Sequence, residues 1–223
     1  MSYKACRRGL SLRLIYGAVC LSGWSGAALD KETGVSMAGW RRLLPLVLLV
    51  AISACTKPRV WASDDAVARA AYVDKGAPSL TLVTVINNKT GAGGHTALVI
   101  NAEQRVVFDP AGNFKYKDAP ERNDFVYGMT PPVLRGYYGF HARKKWHVVT
   151  QKITVSPDVA EQAYQLAKNH GAVPDGFCAE SVTTILHKLP GFETIKPTLF
   201  PVRAMKEFAT LPGIVTDKIY EYD

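Results

Sequence analysis

Two periodicities run along the chain. Leu80–Ile86 (LTLVTVI), His95–Ile100 (HTALVI), Arg105–Asp109 (RVVFD) and Lys145–Val155 (KWHVVTQKITV) are β-branched, apolar runs with the composition of strands. Ile214–Tyr222 (IVTDKIYEY) alternates apolar and polar residues, as an edge strand does. A glycine-rich turn at residues 87–94, a second turn at 101–104 and Pro110-Ala111-Gly112 separate or end the first three strands. Helical signals lie elsewhere. Asp64–Tyr72 has acidic residues leading into alanines. Ser156-Pro157-Asp158 combines an N-cap serine, a first-turn proline and an acid, so a helix over Val159–His170 is expected to stop at Gly171. Cys178–His187 reads as a further helix, stopped by Pro190-Gly191, and Pro201–Phe208 as a short one. Residues 113–143, interrupted by Pro131-Pro132, Gly136 and Gly139, read as a long loop over one face. The sum predicts an α+β fold: an antiparallel sheet of about five strands with helices packed on one face.

The N-terminal quarter follows a different logic. Met37 to Arg42 is a short basic start, Leu43–Ala54 (LLPLVLLVAISA) an apolar run, and Cys55 follows. This is the layout of an export signal. Ile52-Ser53-Ala54-Cys55 resembles the lipobox of bacterial lipoproteins. That resemblance implies that Cys55 carries a fatty acyl chain and becomes the first residue of the mature protein. A plain signal peptide cut near Ala54 or Ala62, or a buried apolar helix, is the alternative. Met37 suits a signal better than Met1, so residues 1–36 read as an over-extended start; Arg13 interrupts the other candidate anchor, Leu10–Trp24. The organisation expected is a signal over 37–54, a tether over 55–63 and a single domain over 64–223.

Composition agrees with one globular domain: 223 residues, 48% hydrophobic and 21% charged. The net charge of +8 first suggests a nucleic-acid binder. However, residues 1–54 hold 7 Lys+Arg against 2 Asp+Glu, and residues 55–223 hold 20 against 17. The mature part is therefore only mildly basic, with mixed signs and no basic stripe, and no nucleic-acid partner is expected. Cleavage removes Cys6 and Cys20 and lipid consumes Cys55, leaving Cys178 alone and unable to form an intramolecular disulfide.

That cysteine opens a predicted helix. Backbone N–H groups and the helix dipole there favour a thiolate. His95, opening a strand after the glycine-rich turn, is a candidate base, and Asp109, closing the next strand, a candidate for orienting it. If the hairpin loop runs over Asn101–Arg105, Asp109 shares a sheet face with His95; if it is one residue shorter, Asn113 becomes the candidate. His141, His147, His170 and His187 show no metal-ligand spacing and read as structural. A zinc site from His95, Asp109 and Cys178 lacks a fourth ligand or a short-spaced pair. Glu180 sits in the first helical turn, where acids are favoured regardless of function. The aromatic and basic stretch Arg135–Trp146 suits a groove wall, contact with anionic lipid, or simply a loop leading into a solvated strand.

The ordered set of a histidine strand (His95-Thr96-Ala97-Leu98-Val99-Ile100), a returning strand and Phe177-Cys178-Ala179-Glu180-Ser181-Val182 opening a helix resembles the circularly permuted papain-like enzymes. These are relatives of the NlpC-type cell-wall peptidases and include lecithin retinol acyltransferase-like proteins. Phe200-Pro201-Val202-Arg203 resembles a segment downstream of the family's cysteine. The resemblance covers about residues 80–210; the aspartate at 109 and the segment 113–143 depart from it. It implies Cys178 as nucleophile, His95 as general base and Asp109 as the orienting residue. The reaction implied is acyl transfer through a thioester, without cofactor or metal. The expected partners are a peptide or lipid substrate of the cell envelope and, through Cys55, a membrane. Thr56 lacks the aspartate associated with inner-membrane retention, which points to the periplasmic face of the outer membrane in a Gram-negative host. A non-catalytic binding lipoprotein on the same fold, or a freely secreted amidase, are the other readings.

Overall fold

The structure is a computed structural model and describes residues 60–222. The signal expected over 37–54, the lipidation site Cys55 and the tether as far as residue 59 lie outside the described residues. Among the described residues no helix is long and apolar enough to cross a membrane.

The chain folds as α+β around one open, antiparallel sheet. Its strands are β1 (Ser79–Asn87), β2 (Gly93–Asn101), β3 (Arg105–Phe108), β4 (Glu121–Arg122), β5 (Phe125–Val126), β6 (Trp146–Thr154) and β7 (Val215–Tyr220). Their order across the sheet is β4-β5-β3-β2-β1-β6-β7. The sheet has seven strands where about five were expected. The two extra ones, β4 and β5, are two residues each, too short to leave a periodic trace in sequence. β7 is an exposed edge, as its alternation predicted.

The helices are α1 (Asp64–Ala70), α2 (Pro131–His141), α3 (Pro157–His170), α4 (Cys178–His187) and α5 (Pro201–Phe208). The start signals of α1 and α3 work as their chemistry requires. Ser63 accepts from the Ala66 N–H at 3.3 Å, and Ser156 accepts from the Val159 N–H at 3.3 Å. Helix α2 was not expected; its segment read as loop. Pro131-Pro132 occupy its first two positions, where the missing N–H groups have no intrahelical partner to lose. Gly136 and Gly139 lower its intrinsic propensity, so tertiary packing of Val133 and Tyr137 stabilises it instead.

The expectation of helices on one face also needs correction. Leu80, Leu82, Leu98, Ile100, Val106 and Phe108 face α3, α4 and α5 through Tyr164, Val182, Ile185, Leu186 and Phe208. Val83, Val85, Ala97, Val99 and Val107 face the other way, into a second core with Val133 and Tyr137 of α2 and with Phe114 and Met129. The interior strand β1 is buried at eight successive positions because both of its sides are covered. That is why Leu80–Ile86 reads as a continuous apolar run rather than an alternating one.

Candidate active site

The site lies where the first strands of the sheet meet the N-terminus of α4. The β2–β3 hairpin pairs Asn101 with Arg105 and Leu98 with Phe108. Asp109, one residue past β3, therefore falls opposite Ala97 and on the side of the sheet that carries His95. The β1–β2 pairing slips between Val85 and Ile86, so that Val85 opposes His95 and Ile86 opposes Gly93. A bulge of this kind re-aims a side chain at a strand end. The glycines beside it answer a packing demand: a Cβ on Gly94 would lie 2.6 Å from the Trp146 ring, and one on Gly93 2.6 Å from Pro201 Cβ.

His95 Nε2 and Asp109 Oδ1 are 2.7 Å apart, with the side chains 15% and 2% exposed. Tyr137 Oη donates to the same oxygen at 2.7 Å, from the face covered by α2. The backbone holds the carboxylate in place as well. Asp109 N–H donates to Asp124 O, and Gly112 N–H returns to Asp109 O. A Cβ on Gly112 would lie 1.8 Å from Asp109 Oδ2, so the turn wraps the carboxylate only because residue 112 has no side chain.

Cys178 is the first residue of α4 and is buried. Phe177 at the N-cap supplies no side-chain hydrogen bond. The groups that favour its thiolate are instead the His95 imidazole and the backbone N–H groups of Thr96 and Ala179. Since Nε2 of that ring is engaged by Asp109, the other nitrogen, Nδ1, is the one left for the thiol. The imidazole therefore bridges the acid and the sulfur.

The three groups hold one another in charged form. Burial works against protonated His95, but Asp109 and Cys178 outweigh it and raise His95 from 6.5 to about 10. Burial pushes the Asp109 carboxyl up, but His95, His141 and the Tyr137 hydroxyl bring it below its ordinary value. Burial also pushes the Cys178 thiol up; the His95 hydrogen bond and charge, with the Thr96 and Ala179 N–H groups, bring it below its ordinary 9.0. An imidazolium–thiolate pair beside a carboxylate is the consistent protonation state.

Cys178, His95 and Asp109 are thus brought together, whereas Asn113 is exposed on the rim and Asp109 takes the bond to His95. Sequence reasoning missed Tyr137 and His141, both on α2. The rings of His141 and His95 stack with centroids 5.3 Å apart. The His141 ring is lowered to about 4, first by burial and then by the charges of His95 and Arg143 against the opposing pull of Asp109. Ligand atoms of His95, Asp109 and His141 lie within 4.8 Å of one another. Among the described residues the convergent set is His95, Asp109 and His141, and the zinc set of His95, Asp109 and Cys178 is not one. Of the other histidines, His147 stacks on Tyr220, His170 packs beside Phe108 and His187 closes α4. Glu180 accepts a long hydrogen bond from Thr184 within its own helix.

An open cleft of about 310 Å³ leads to this site, lined by His95, Asn113, Phe140, His141, Arg143 and Trp146. Of the stretch Arg135–Trp146, Phe140, His141, Arg143 and Trp146 line this cleft. A larger concavity of about 410 Å³ lies elsewhere, around Gln104, Tyr127, Tyr164 and Lys168, and its lining contains neither cysteine nor histidine. No protein-family model matches the chain, and no characterised protein or solved structure matches it either.

Proposed function

We propose that the protein is a thiol-dependent hydrolase or acyltransferase of the permuted papain-like, NlpC-type kind, acting on an amide or ester bond. The observation that carries this reading is the single imidazole of His95 between the Asp109 carboxylate at 2.7 Å and the thiol at the head of α4. In the reaction, the Cys178 thiolate attacks the acyl carbon and the tetrahedral oxyanion forms beside the N-terminal N–H groups of α4, including that of Cys178. His95 gives its proton to the departing amine or alcohol, leaving a thioester. It then takes a proton from water or another acceptor, which attacks the thioester and expels the Cys178 thiolate, restoring the resting pair. Asp109 holds the ring's orientation and stabilises its charge throughout. The lipobox-like sequence at Cys55 extends the proposal to a lipid-anchored enzyme of the cell envelope, with a peptide or lipid substrate.

A p-nitrophenyl ester tests the chemistry without knowledge of the natural substrate. Intact-mass measurement is expected to show an acyl adduct that Cys178→Ser abolishes and His95→Ala slows. Equal acylation in wild type and His95→Ala contradicts the proposal. Fatty-acid labelling that Cys55→Ser removes tests the anchor; label that survives in that variant contradicts it.

A further inference from the structure

The acyl-transfer chemistry leaves His141 without a task. Its ring is held edge-on by Tyr137 and Phe140, at centroid distances of 4.8 and 5.0 Å. Its Nε2 is buried and makes no hydrogen bond. A desolvated ring nitrogen with no partner carries a penalty unless something else binds it. A ring nitrogen of His141, a ring nitrogen of His95 and a carboxylate oxygen of Asp109, the last two from the groups that run the chemistry, lie within 4.8 Å of one another.

Two imidazoles and one carboxylate are the donor set of a borderline-soft divalent ion such as Zn²⁺, with a fourth position left to water. At metal–ligand bonds of about 2.0–2.2 Å, such donors stand roughly 3.4 Å apart. The His95–Asp109 pair, at 2.7 Å, then opens by less than an ångström while the longest separation closes.

We propose that His95, Asp109 and His141 form a binding site for a Zn²⁺-class ion and that its occupation switches the thiol chemistry off. Coordination takes His95 Nε2 away from Asp109, and the proton on that nitrogen passes to solvent. The His95 proton facing Cys178 stays where it is. With a p-nitrophenyl ester the phenolate leaves without needing that proton, so when the thioester has formed the metal-bound imidazole still carries it, has no free nitrogen with which to accept a proton from water, and the thioester is not hydrolysed. Cys178 faces the other edge of the ring and is not a ligand. The switching half of this inference rests on the proposed thiol chemistry; the binding half does not.

The test separates the two halves. Co²⁺ is titrated into Cys178→Ser protein and binding is read from the visible absorption of the tetrahedral ion. One Co²⁺ per chain is expected, with no thiolate-to-metal charge-transfer band in the wild type. His141→Ala and His141→Gln are expected to weaken binding by at least the roughly 10–100-fold that loss of a mere supporting partner costs a metal site. No binding, or binding unchanged in both His141 variants while circular dichroism shows them folded, overturns the site. Zn²⁺ is expected to lower steady-state p-nitrophenyl ester turnover by more than about tenfold, reversed by chelation, with the acyl adduct accumulating. Binding that leaves turnover unchanged overturns the switch. An absence of turnover without metal contradicts the thiol chemistry itself, and the cobalt titration still decides the site.

Discussion

His95 and His141 stack with ring centroids 5.3 Å apart and yet titrate in opposite directions, the first raised to about 10 and the second lowered to about 4. Both are affected by burial and both are attracted by Asp109. The difference is contact. Asp109 hydrogen-bonds to His95 directly, whereas it reaches His141 only through space, against the like charges of His95 and Arg143. One carboxylate thus sustains one imidazolium, and the second ring stays neutral.

The stability profile should carry this asymmetry. His95, raised from 6.5, contributes stability that is full below pH 6.5 and lost as pH rises through about 10. His141, depressed from 6.5, contributes stability that is present above pH 6.5 and lost as pH falls through about 4. Thermal unfolding at stepped pH is expected to show the fall in Tm between pH 6.5 and 4 flattened in His141→Gln, with the alkaline limb retained. An unchanged acid limb counts against a neutral His141.

Asp109→Asn keeps the shape of the orienting group and removes its charge. The imidazolium then loses its principal support, and the Cys178 thiol rises toward its ordinary value. Below its pKa, thiolate falls about tenfold for each unit of that rise. Alkylation of Cys178 at pH 6 is expected to slow in proportion. A rate equal to wild type rules out Asp109 as the orienting residue.

Tyr137→Phe removes the second hydrogen bond to Asp109 Oδ1 within a buried site. Leaving a buried carboxylate under-bonded costs on the order of 1–3 kcal/mol. Urea denaturation should show that loss with the m-value unchanged. The carboxylate should also be easier to protonate, so the alkylation profile loses more of its acid limb than the wild type's does.

Gly112→Ala places a methyl where Asp109 Oδ2 now lies. The substitution is expected to break the His95–Asp109 pair while the far-UV spectrum stays that of a folded α+β protein, and to reproduce the Asp109→Asn alkylation profile. Wild-type alkylation in this variant contradicts the close wrapping of the carboxylate.

The parts of the site that sequence carries are those set by local signals. Cys178 at a helix start follows from the loop before it and the apolar run after it, and the shared side of His95 and Asp109 follows from one hairpin length. The contribution of α2 was not legible. Its two prolines resemble a break, although a helix accepts them in its first turn, and Gly136 and Gly139 weaken the pattern further. Had Pro131-Pro132 been read as a helix start, the spacing of Val133, Tyr137 and His141 by fours would have put all three on one face. The second core follows the same logic. With α2 unseen, nothing in the sequence says what covers the Val83, Val85 and Val107 side of the sheet. Strands β4 and β5 are held by pairing with β3 rather than by any pattern of their own.

The central claim is that His95 activates Cys178. It is tested most directly by the rate of Cys178 alkylation as a function of pH, in wild type and in His95→Ala. The account predicts a wild-type midpoint below the ordinary thiol value of 9.0, and a midpoint displaced upward when His95 is removed. A midpoint at or above the ordinary value that does not move with His95 contradicts it.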